Sequence, residues 1–182
     1  MKNSKVYKLV LAAMFLALAL VLPFLTGQVP QIGKRLCPMH IPVLLCGYFC
    51  GPWYALAVGF IAPYLRFVLF QMPAVIPDGF VMSFELATYG MAAGLLYKMF
   101  PPKKIFVYVS LVLSMIAGRI SWALASLVLL SLGKAEFGWP IFIAKGFVNP
   151  LPGIALQIVL IPILVMTLKK FTVGNESKDR KK

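Results

Sequence analysis

The sequence predicts an all-α integral membrane protein, a bundle of six transmembrane helices with both termini cytoplasmic. Three observations predict it. Of 182 residues, 61% are hydrophobic and 13% charged, where soluble domains have ~45–50% and ~25%; the mean hydropathy is +0.90. The apolar residues fall into six segments, most of them long enough for a ~30 Å hydrocarbon core. Finally, the Lys and Arg that give a net charge of +13 gather on one side of that map, as the positive-inside rule requires.

The first segment runs about Val6–Leu25. Its basic start and apolar run have the look of a signal peptide, but the run is long and no small-x-small cleavage site follows, so a retained span is expected. The polar loop "TGQVPQIGKRLCPMH" comes next. The second segment, "IPVLLCGYFCG", is too short to cross a bilayer alone. Gly51–Pro52 separates it from the third, about Trp53–Gln71, and "MPAVIP" forms the turn to the fourth, about Asp78–Tyr97. "KMFPPKK" is a hard stop. The fifth segment runs about Ile105–Leu132. "GKAEFGWP" leads to the sixth, about Ile141–Leu168. One domain, 1–170, therefore holds the bundle, and 171–182 is expected as a disordered basic tail on the cytoplasmic side.

With both termini inside, most of the 18 Lys and Arg lie on the inner side. Lys34, Arg35 and Lys134 fall in outer loops, and Arg66, Arg119 and Lys145 fall within spans. The basic excess is thus a membrane anchor; no aromatic-interleaved basic face of the nucleic-acid-binding kind is present. Cys37, Cys46 and Cys50 make no even disulfide framework. Cys37 with His40 lacks zinc-ligand spacing, so no metal site is expected. No HExxH, Gly-x-Ser-x-Gly or Walker A motif occurs, which argues against an enzyme and against ATP hydrolysis by this chain.

Charges inside spans are costly and mark function by default. At ~1.5 Å per residue, Arg66 and Arg119 lie ~20 Å above the inner surface, and Glu85 and Lys145 ~10 Å below the outer one. Four charges on four helices therefore share one level. Tyr89 follows Glu85 by four residues, Trp122 follows Arg119 by three, and Asn149 follows Lys145 by four, so each pair shares a helix side. Two arrangements fit: a Glu85–Arg ion pair that locks two helices, or an outward-facing pocket with excess positive charge that awaits an anionic ligand group. The first loop, with Gln31 and His40, lies on the pocket side and is long enough to act as a lid; His40 is a ligand contact or an interfacial histidine. In the inner half of the first span, Ala13 and Ala17 form a small-xxx-small pair that permits close helix approach.

These features together resemble the substrate-binding S components of energy-coupling factor (ECF) transporters. The resemblance covers about residues 6–168. It rests on the six-span layout, the Ala13-x-x-x-Ala17 pair, and the blocks "LCPMHIPVLLCGYFCGPW", "FELATYG", "GRISWAL" and "GFVNPLPGI". It implies a non-enzymatic, cofactor-free subunit in a bacterial cell membrane that binds a vitamin or related micronutrient from outside. Its partners would be a transmembrane T component and two ABC-type ATPases, with Ala13 and Ala17 docking on the T component. The substrate would lie among Glu85, Tyr89, Arg119, Trp122, Lys145 and Asn149, with Arg66, His40 and Gln31 as further candidates. A structural membrane scaffold of similar layout and a stand-alone facilitator are the alternatives.

Overall fold

A computed structural model describes residues 5–26, 36–101, 103–132 and 148–179, with side chains at 25, 26 and 169–179 excepted. Among these residues there are six α-helices: α1 (Lys5–Val21), α2 (His40–Cys50), α3 (Pro52–Phe70), α4 (Phe80–Met99), α5 (Lys104–Ser131) and α6 (Leu151–Asp179). Five of the apolar stretches are long enough to cross a membrane; α2, with 11 residues, is not. The last helix continues through 171–179, where the sequence analysis expects a disordered tail. The expected start of the sixth span, at Ile141, lies outside the described residues.

Side-chain size dictates the packing. Along α2 every residue but Phe49 is buried. It lies against α1, α3, α4 and α6, a core helix that is apolar all round. The α2–α4 contact is a glycine seam: a Cβ on Gly47 would stand 2.6 Å from the Gly90 carbonyl oxygen, so only hydrogen lets the backbones approach. Gly51 turns α2 into α3 at φ 103°, a conformation open to glycine and strained for other residues. Pro52 then starts α3 at a position where no amide hydrogen is needed.

The outside of the bundle is apolar. Val112, Ile116, Ile120 and Leu124 are exposed on α5, and Val6, Val10 and Met14 on α1. Contiguous apolar surface of this kind is rare on soluble monomers and natural against lipid. On α1, Ala12, Phe15 and Ala19 face inward, while Ala13 and Ala17 are exposed. Buried Ser110 and Ser114 donate to carbonyls of their own helix, Val107 and Leu111, and so satisfy their hydroxyls.

Candidate functional site

Three side chains from three helices converge in the interior. Glu85 projects from α4, Arg119 from α5, and His40 is the first residue of α2. Arg119 Nη1 lies 2.8 Å from Glu85 Oε1, and His40 Nε2 lies 3.6 Å from the same oxygen. All three residues are buried, with exposures of 3% for His40, 4% for Glu85 and 8% for Arg119. Charge holds the 2.8 Å contact, without hydrogen-bond geometry: Glu85 Oε1, Arg119 Nε and both His40 ring nitrogens have no hydrogen-bond partner. Glu85 Oε1 is thus engaged by charge, while Arg119 Nε and the two His40 ring nitrogens lack a hydrogen-bond partner, a departure from the usual satisfaction of interior polar groups.

The surroundings are built from one turn of each helix. Tyr89, one turn after Glu85, is buried and stands edge-on to the His40 ring, with centroids 5.1 Å apart. Gly118, beside Arg119, makes room for it, since a Cβ there would stand 3.0 Å from the Tyr89 ring. Cys37 closes the cluster from the segment before α2. It holds φ 47°, and its carbonyl accepts from the His40 backbone N–H at 3.1 Å and from Gln157 Nε2 of α6 at 3.5 Å. Its thiol lies near Arg119 and Glu85. Burial, and then the Glu85 charge, raise its pKa to about 12 against the opposing pull of Arg119.

The structure brings Glu85, Tyr89, Arg119 and His40 together. It places Arg66 differently. Arg66 Nη1 donates to the Leu20 carbonyl at 2.7 Å, and its guanidinium lies 5.5 Å from the ring centres of both Phe24 and Phe70. Arg66, expected from the sequence at the level of the cluster, serves the C-terminal end of α1, whose last carbonyls lack intrahelical donors. Trp122 is half-buried and packs on Val81, Ala125 and Leu129, one turn beyond Arg119. Asn149 is exposed. Gln31 and Lys145 lie outside the described residues, as do Lys34, Arg35 and Lys134. Within the described cluster Glu85 balances Arg119, so the expected excess of positive charge is not present there. Neither Gln157 nor the role of Cys37 was expected from the sequence. Gln157, 2% exposed, is a lone amide in an apolar run, and that was its signal. Among the described residues no group of three His, Cys, Asp or Glu is placed to hold a metal ion.

A family model described as "ECF transporter, substrate-specific component" matches residues 7–171. No curated protein and no solved structure matches the chain.

Proposed function

Since the chain belongs to the family of ECF transporter substrate-specific components, a family of substrate-binding membrane subunits and not ATPases, we propose that it captures a vitamin-like micronutrient at the His40–Glu85–Arg119 cluster and delivers it to an ATP-driven importer. The observation that carries this reading is the cluster itself. Ion pairs that only lock helices gain from having every polar atom satisfied, because buried unpartnered groups are costly; this cluster leaves Arg119 Nε and both His40 ring nitrogens without a hydrogen-bond partner. In the proposed arrangement the five long helices, and α2 together with the segment before it, make six crossings of the membrane of a bacterial cell, with both termini cytoplasmic, and the cluster opens to the outer side. An anionic group on the substrate would be met by cations beyond the Glu85–Arg119 pair, with Lys145 the candidate from the sequence.

A T component and two ABC-type ATPases are the proposed partners. The exposed Ala13 and Ala17 offer the T component a flat helix face, since small side chains allow close backbone approach. The test is ATP-driven uptake in vesicles that contain those subunits, with the molecule that copurifies with the chain as substrate. Ala13→Trp should leave binding of that molecule intact and abolish uptake. Uptake at the unaltered rate in Ala13→Trp would refute the docking face; no ATP-dependent uptake by the unaltered chain would refute the transport reading.

A further inference from the structure

Arg66 is 5% exposed and stands four residues before the end of α3, ~6 Å short of that end along the helix axis. Nη1 donates to the Leu20 carbonyl at the end of α1, and the rings of Phe24 and Phe70 lie 5.5 Å from the guanidinium carbon. A guanidinium carries five N–H donors, and aromatic rings attract its charge without taking up those donors. Among the described residues the ion pairs are those of Glu85 with Arg119 and with His40, and none includes Arg66. Nor are its other nitrogens sealed in: the sealed, unpartnered side-chain atoms among the described residues belong to His40, Glu85 and Arg119. The little surface that Arg66 keeps therefore includes N–H groups in need of an acceptor. On a soluble protein water would serve them. Here the turns that carry Leu20 and Arg66 expose Val21, Val68 and Leu69, aliphatic surface suited to lipid, and a cation without a counter-charge in such surroundings is costly.

We infer that Arg66 holds the phosphodiester of a membrane phospholipid at the end of the bundle where α1 and α3 finish together. With the termini placed as proposed above, that end lies in the outer leaflet. An arginine one turn from a helix end extends its head toward the headgroup layer while its stem stays among apolar groups. The phosphate oxygens accept from the N–H groups that Leu20 leaves open, in the forked geometry that suits a guanidinium. The carbonyl ends of α1 and α3 also favour a cation, but their charge is fractional, and the one hydrogen bond they supply uses Nη1. Phe24 and Phe70, edge to face with centroids 4.8 Å apart, are aromatic side chains of the kind that gather at the interface level of a bilayer. The exposed aliphatic side chains on the same turns give acyl chains a surface to lie on, which favours an amphipathic anion over free phosphate.

The test uses the purified full-length chain in detergent, stripped of lipid, with dioleoylphosphatidylcholine, dioleoylglycerol and inorganic phosphate as probes. Phosphatidylcholine carries the phosphodiester without net charge, so the lysines at the other end of the bundle do not gather it; dioleoylglycerol has the same chains and no phosphate. Native mass spectrometry counts the lipid retained. The unaltered chain should hold one phosphatidylcholine, and Arg66→Met should hold it ~10–100-fold more weakly. A second measurement needs no substitution: modification of Arg66 by phenylglyoxal, read by the mass of its peptide, should slow when phosphatidylcholine is added and not when dioleoylglycerol or millimolar phosphate is. Equal retention by the unaltered chain and Arg66→Met, or equal slowing by dioleoylglycerol, would overturn the inference; slowing by inorganic phosphate alone would overturn the lipid as occupant. The uptake assay tests transport separately: uptake without lipid retention at Arg66 sinks only the lipid site, and retention without uptake sinks only the transport reading.

Discussion

Arg119→Met should destabilise the ligand-free protein, and a second substitution should repair it. In the structure Arg119 and Glu85 touch at 2.8 Å with side-chain exposures of 10% and 6%. Removing one partner of such a pair strands the other charge, at a cost of ~3–5 kcal/mol. For a chain of this size each kcal/mol lowers the midpoint by ~2–4 °C, so a fall of ~6–20 °C is expected. The double substitution Glu85→Leu/Arg119→Met replaces the pair by apolar groups, a change that is often neutral or stabilising by ~1–4 kcal/mol. It should recover most of the loss while binding of the copurifying molecule stays abolished. The assay is thermal unfolding of the four members of the cycle in one detergent, each freed of ligand, alongside binding to each. An Arg119→Met midpoint equal to that of the unaltered chain, or a double variant no more stable than the single, would refute the pairing.

Arg66→Met removes a charge-assisted hydrogen bond to Leu20, worth ~1.5–3 kcal/mol, so the midpoint should fall while ligand affinity holds; lost affinity at unchanged stability would return Arg66 to the pocket. Gly47→Ala places a Cβ 2.6 Å from the Gly90 carbonyl and should cost ~1–3 kcal/mol by forcing α2 and α4 apart, again read by thermal unfolding. The Cys37 thiol, its pKa pushed up to about 12, stays protonated through neutral pH. Its alkylation by iodoacetamide should be slow at pH 8 and still accelerate between pH 10 and 11, where a thiol of ordinary pKa ~8.5 has levelled off; a plateau by pH 10, seen by mass of the labelled peptide, would refute the shift.

The membrane explains why so much of the bundle was legible. Hydrophobic segments must match a fixed thickness, so the length and order of most helices could be read directly, including the shortness of α2. Depth also paired Glu85 with Arg119. Depth has no azimuth, however. Arg66 is expected at a similar height, yet it turns to the end of α1, a choice set by Leu20, Phe24 and Phe70, which are adjacent only after folding. Cys37 was not legible because its part in the site depends on a positive φ, which nothing in a Leu-Cys-Pro sequence announces. Gln157 reaches Cys37 across 120 positions of chain, a relation that no local spacing encodes.

The brevity of α2 also has an electrical consequence. A helix carries roughly half a positive elementary charge at its amino end, and α2 begins at His40, whose imidazole reaches to 3.6 Å from Glu85. The fractional charge sits inside the bundle, where salt does not screen it well. The amino end of α2 thus adds positive potential on the side of the cluster from which His40 enters, beside that of the guanidinium. A substitution that unwinds the first turn of α2 would alter the field at Glu85 although every ionisable residue remained in place.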